Sequence, residues 1–192
     1  MPFPTLETSR LALVEVTPEH ASSLFHILSN ETVTRFYGMD PLREQNDALN
    51  IIGSFKQTYD TQQGIRWGIL IRDSGTFIGT LGLNHLSLYS KKAEIGFELD
   101  PAHWRRGYAA EAIQAVLEYA FETLALHRMG AVTFLENEAS VQLLKRLGFE
   151  EEGILRGYLY QDGSSHDGRI FSLLQPDYQL MVREQHAQEK PV

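Results

Sequence analysis

Three strand-like runs between residues 66 and 100 constrain this chain more than any other feature: RWGILIR (66–72), FIGTLGLNHL (77–86) and KAEIGFELD (92–100). The turn Asp73-Ser74-Gly75 joins the first two, and the spacing reads as an antiparallel meander. Everything else must pack on that sheet. Upstream, RLALVEV (10–16) alternates as a strand, and Thr17-Pro18 supplies an N-cap followed by proline at the first helical position. That start predicts a helix over 18–29 with Leu24, Ile27 and Leu28 inward, and a second over 42–59 with Ala48, Ile51, Ile52 and Phe55 at helical spacing. Downstream, Ala109, Ile113, Val116, Leu117, Ala120, Phe121 and Leu124 share one helical face. A strand at 128–135, a helix at 139–147 ended by Gly148, and strands at 151–160 and 169–174 around an Asp162-Gly163 turn complete the pattern. The order implies an α+β, or mixed α/β, layer with a largely antiparallel sheet of about seven strands. We expect one domain over 1–183 and a polar tail over 184–192.

The bulk chemistry narrows the class. With 192 residues, the chain can bury a substantial core in one domain. No stretch approaches the ~18 apolar residues of a membrane span, and MPFPTLETSR has no apolar signal core, so a cytoplasmic protein without a membrane partner is expected. The absence of cysteine excludes disulfides, thiolate metal sites and a cysteine nucleophile. The histidines show no metal spacing, so no metal is expected. A net charge of −8 argues against a nucleic-acid surface and favours cationic partners such as amines.

Against that acidic background, HWRRGYAAEA (103–112) places two arginines and a glycine at a helix mouth. Helix N-termini carry unpaired N–H groups and the positive end of the dipole, which together suit a phosphate. Gly107 removes the side chain that would obstruct close approach, Ala109 and Ala110 stay small, and Arg105 and Arg106 add charge. An ordinary helix start with solvated arginines accounts for the decapeptide equally well. No Gly-Lys-Ser/Thr loop and no G-x-G-x-x-G after a first strand is present. Further on, NEASVQLLKRLGF (137–149) puts Asn137 at a helix N-cap position and Ser140 in the first turn; capping alone explains both.

In combination, AEIGFELDPAHWRRGYAAEAI (93–113) and NEASVQLLKRLGF resemble the acetyl-coenzyme A-dependent N-acetyltransferases of the GNAT superfamily. Residues 104–109 look like its Q/R-x-x-G-x-G/A phosphate loop, with tryptophan first and alanine last. That departure, the second motif and ETSRLAL (7–13) are similar to the ribosomal-protein N-terminal (Rim-type) branch. The resemblance spans 6–174 and implies a sheet with helices on both faces.

The resemblance also implies the site. Strands 94–99 and 128–135 would splay apart around the pantetheine of acetyl-CoA, with main-chain contacts from Phe97, Glu98 and Leu99. Amides from Arg105 through Arg106, Gly107, Tyr108 and Ala109 to Ala110 would hold the pyrophosphate, with Asn137, Ser140 and Lys145 as further coenzyme contacts. An acceptor amine would attack the thioester directly, through an oxyanion held by a backbone N–H near 97–99. Glu94 and Glu98 share one side of their strand by the period-two rule, and Glu94 ranks first as general base ahead of Glu98; the alternative is that both merely face solvent. Ser140 would serve the departing sulfur. Phe36, Tyr37, Tyr158 and Asp167 are candidates for the acceptor site. The acceptor would be a protein N-terminus or a small amine; a coenzyme-binding module without catalysis, and a homodimer, stay open.

Overall fold

The computed structural model describes residues 2–188. Its centre is one eight-stranded sheet in the order β1-β2-β3-β4-β5-β6-β8-β7. The strands are β1 Leu6–Glu7, β2 Leu11–Glu15, β3 Ile65–Ile71, β4 Phe77–Ser87, β5 Lys92–Leu99, β6 Arg128–Phe134, β7 Glu150–Gln161 and β8 Ser164–Leu174. The helices are α1 Ala21–Leu28, α2 Glu31–Thr34, α3 Gln45–Asp60, α4 Tyr108–Glu118, α5 Glu138–Arg146 and α6 Gln175–Gln188. The meander is present as β3-β4-β5, antiparallel throughout.

Three elements depart from the expected pattern. The sheet has eight strands rather than about seven, because Leu6–Glu7 pairs with Leu13 and Ala12; two residues are too few to show a period. The short helix α2 occupies a segment that reads as irregular. Helix α6 carries the chain past Glu184, where a polar tail was expected to begin, and residues 189–192 lie outside the described residues.

Helices cover both faces. Trp67, Ile69, Leu81, Leu83 and Ile95 pack with Ile113, Val116 and Leu117 of α4 and Val141 and Leu144 of α5. Leu70 and Phe77 instead join Leu24, Ile27 and Leu28 of α1 and Ala48 and Ile52 of α3. Adjacent Ile69 and Leu70 thus enter opposite cores, as strand alternation requires. Fully burying each such side chain contributes roughly 1.5–3 kcal/mol.

One junction breaks the regularity. β5 and β6, the sole parallel neighbours among the described residues, pair only at Lys92↔Arg128, Ala93↔Met129 and Glu94↔Gly130. Beyond Glu94, β5 stays bonded to β4 as far as Leu99, and β6 stays bonded to β8 as far as Phe134. The facing edges therefore part, leaving about 16 Å of unpaired β5 edge at the usual rise per residue.

Candidate active site

At the open end of this fork, β5 runs into a tight loop. Asp100 accepts a hydrogen bond from the Ala102 amide at 2.9 Å, and Trp104 Nε1 donates to the Leu99 carbonyl at 2.8 Å. Arg105 and Gly107 both take positive φ, +59° and +81°, and Gly107 is the N-cap of α4. The left-handed conformation suits glycine, and the nearest atom to a Cβ built there is Arg10 Nη2 at 3.3 Å. The amides of Tyr108, Ala109 and Ala110 have no partner within the helix, and the Arg105 and Arg106 side chains are exposed.

Arg10 of the β1–β2 connection holds the loop. Its Nη1 donates to the Arg106 carbonyl at 3.0 Å, its Nε to Glu111 Oε2 at 2.6 Å, and its guanidinium lies 4.6 Å from the Tyr108 ring centre. Glu111 Oε1 also accepts from Thr8 Oγ1 at 2.6 Å and the Arg10 amide at 2.9 Å. Partial burial works to raise the Glu111 pKa, but these donors outweigh it and hold the carboxyl below its ordinary value. Sequence reasoning reached Arg10 only within ETSRLAL and the strand run RLALVEV; a partner 101 positions away leaves no local periodicity.

At the end of β6, Asn137 caps α5, its Oδ1 accepting from the Ser140 amide at 3.2 Å. Both residues are half-buried. Lys145 is exposed and paired with Glu151 at 3.0 Å.

The two β5 carboxylates have different surroundings. Glu98 is 5% exposed. Thr80 Oγ1 donates to its Oε1, while its Oε2 has no hydrogen-bond partner among the described residues and faces Arg66 Nη1 at 3.6 Å. Arg66 reaches it by lying across Gly82, where a Cβ would meet Arg66 Cδ and Nε at 3.0 Å, and donates to the Gly96 carbonyl at 2.9 Å. Burial pushes the Glu98 pKa up, opposed by Arg66, Thr80 and Tyr37. Burial, with the Glu98 charge, also raises the Tyr37 pKa. The alternative of two solvent-facing carboxylates therefore fails for Glu98.

Glu94 is half-buried at the base of the fork. Its Oε2 lies 3.2 Å from His85 Nδ1, and a Cβ on the facing Gly130 would meet Glu94 Cγ at 3.2 Å. Tyr158 stands in the field of Glu94, which raises the phenol's pKa. Asp167 accepts from the Gly157 amide at 2.7 Å, anchoring the strand beside Tyr158. Phe36 packs against Phe134 with ring centres 5.9 Å apart. Gln161 clamps the segment after α2, accepting from the Gly38 amide at 2.8 Å and donating to the Thr34 carbonyl at 3.0 Å. Phe97 is half-buried and Leu99 buried, with their edge unpaired on the β6 side. Arg66, Thr80, His85 and Gln161 escaped sequence reasoning because each depends on a cross-strand register or a bulge.

Among the described residues, no three His, Asp or Glu side chains gather to hold a metal ion, and no helix is long and apolar enough to cross a membrane.

Known proteins supply the family. A family model described as an acetyltransferase (GNAT) domain matches residues 10–150. The uncharacterized N-acetyltransferase YoaA of Bacillus subtilis (strain 168) is 44% identical over 174 residues, covering 91% of this chain and 98% of its own. The ribosomal protein uS5-alanine N-acetyltransferase of Escherichia coli (strain K12) is 28% identical over 128 residues, 66% of each chain. The spermidine N-acetyltransferase of Vibrio cholerae, solved in complex with CoA and spermine, shares the fold with a TM-score of 0.78 at 23% identity, covering 90% of this chain and 99% of that one. Relatives named for an enzymatic activity set aside a coenzyme-binding module without catalysis. The unpaired β5 edge, the glycine at the mouth of α4 and the matched domain lead to one conclusion: this chain belongs to the GNAT family and is an N-acetyltransferase that uses acetyl-CoA.

Proposed function

We propose that the chain acetylates a protein N-terminal α-amine, of the ribosomal-protein type, by direct attack in a ternary complex in the cytoplasm. The observation that carries this reading is the β5–β6 fork with Glu94 at its base. Acetyl-CoA, when bound, supplies a thioester carbonyl. The amides from Arg105 to Ala110 would hold its pyrophosphate, and the main chain at Phe97, Glu98 and Leu99 its pantetheine. Asn137 and Ser140 would flank the arm from α5, whereas Lys145 would have to leave Glu151 to reach an anion.

Glu94 is the better base of the pair. Both oxygens of Glu98 are enclosed by Arg66, Thr80 and Tyr37, so its work is to fix the floor beneath Tyr37. Glu94 is open to an incoming amine. The demand on it depends on the acceptor: an α-amine has a pKa of about 7.7–8.0 and a lysine amine about 10.4. At pH 7.5 roughly a third of the former and about one in a thousand of the latter is neutral, so a lone carboxylate suits an α-amine. The Ser140 hydroxyl can give a proton to a departing thiolate, an undemanding task for a thiol of pKa about 8.5. Phe36, Tyr37 and Tyr158 form the acceptor wall, with Asp167 anchoring it. Similarity to the uS5-alanine enzyme supports an α-amine acceptor.

The test is thiol release from acetyl-CoA with four acceptors: a peptide with a free N-terminus, the same peptide N-blocked, a polyamine and an aminoglycoside. The free peptide should react fastest and the blocked one not at all. Release with the polyamine or aminoglycoside alone would replace the α-amine reading with small-amine acetylation.

A further inference from the structure

Strand β4 loses its alternation where it passes Glu94. Leu81 and Leu83 point into the core beneath α4, and Asn84 is the direct cross-strand partner of Glu94. Continued alternation would turn His85 back toward that core. Instead His85 takes a φ of +49°, the β4–β5 register shifts between Asn84 and Ser87, and Leu86 takes the next inward place against the core. The bulge brings His85 Nδ1 to 3.2 Å from Glu94 Oε2 and leaves its side chain 72% exposed. Bulges beside active sites re-aim side chains. An exposed ion pair alone adds too little stability to account for a histidine held in the left-handed region.

The reaction supplies a reason for the bend. In solution near neutral pH most of the acceptor is an ammonium ion. Its nitrogen bonds to the thioester carbonyl carbon, the carbon–sulfur bond breaks, two N–H protons leave and one returns to the sulfur. One proton per turnover must reach water. We propose that His85 is its exit, acting through Glu94. The carboxyl formed at Glu94 passes its proton to Nδ1, and the ring releases one from Nε2 to solvent before exchange with water restores its tautomer. The inference rests on Glu94 being the base. The other groups facing Glu94 are Arg128 of β6 and Tyr158 of β7. Arg128 is a permanent cation and Tyr158 is held above its usual range, so neither offers an exit near neutral pH.

His85→Asn tests the relay, because asparagine tolerates the left-handed backbone while removing the imidazole; His85→Gln is the second variant. Both should keep the wild-type Tm and acetyl-CoA Kd and lose at least roughly tenfold in kcat, less than the 10²–10⁴-fold typical of a group touching substrate. Added imidazole should restore activity to either variant. Wild-type kcat in both, or a loss that imidazole leaves unrestored, would overturn the relay. Glu94→Gln separates the two readings. If it retains full activity, the base assignment fails; if it is inactive while His85→Asn turns over normally, the relay alone fails.

Discussion

The two surfaces flanking β5 are built by different means. At the loop after β5 the open surface is main chain: unpaired amides at the start of α4, a left-handed Gly107, and behind them a clip in which Arg10 ties Glu111 to the Arg106 carbonyl. On the face of β5 that carries its two glutamates it is side chain: a buried Glu98 balanced by Arg66, Thr80 and Tyr37 near the loop, and a half-buried Glu94 beside His85 at the base of the fork. A backbone cradle depends on where the chain goes and tolerates variation in its side chains. A floor of buried charges depends on which side chains are present, and on the proposed reading acceptor choice is written there.

The largest expected break in that contrast is Gly107→Glu. A carboxylate set against a pyrophosphate should weaken coenzyme binding by a hundredfold or more, since like-charge contacts cost several kcal/mol. Calorimetry should report this beside a thermal melt lowered only by the roughly 1–2 kcal/mol that a non-glycine residue costs in the left-handed region, since only Arg10 Nη2 lies near the added Cβ. Arg106→Ala, which leaves the amides in place, should cost less than about tenfold.

Next comes Arg66→Met, which leaves Glu98 buried without its cation. Urea unfolding should show a loss of about 3–5 kcal/mol. Combining it with Glu98→Leu should recover part of that loss, because the unpaired charge is then gone.

A smaller effect separates the two surfaces by the sign of their pH response. Glu111 has a depressed pKa in the fold, so its stabilising contribution is present above the unfolded pKa of about 4.5 and fades as pH falls. Glu98 has a raised pKa, so its contribution is full below that value and declines as pH rises. Melts from pH ~3 to ~8 should show Glu111→Gln losing most at neutral pH, about 1.5–3 kcal/mol for its charged hydrogen bonds. Glu98→Gln should compare best with wild type at neutral pH and worst in acid. Parallel profiles for the two variants would contradict the contrast.

The smallest effect is Asp167→Ala, which frees the Gly157 amide beside Tyr158. It should cost about 1 kcal/mol of stability, and acceptor KM should rise while the acetyl-CoA Kd stays unchanged.

What was legible in the sequence follows the same division. The loop at 103–112, the helix behind it, the meander and the Asn137 cap all write themselves into short, local patterns, and each stands where expected. Period two places Glu94 and Glu98 on one side, and only the family resemblance ranks Glu94 first; their physical difference comes from Arg66 and Thr80 on β3 and β4, brought beside Glu98 by sheet register. His85 read as an ordinary strand residue because a bulge has no fixed spelling. The final helix was missed because its polar residues blend into the expected tail, and β1 because two residues carry no period.

The central claim is that this site acetylates an α-amine, and one peptide can test it. A substrate carrying both a free N-terminus and a lysine side chain is incubated with the enzyme and acetyl-CoA, and fragmentation mass spectrometry locates the acetyl group. Early in the reaction the account predicts acetyl on the N-terminal nitrogen and none on the lysine. Acetyl on the lysine, or an unmodified peptide under conditions where a polyamine is acetylated, would contradict it.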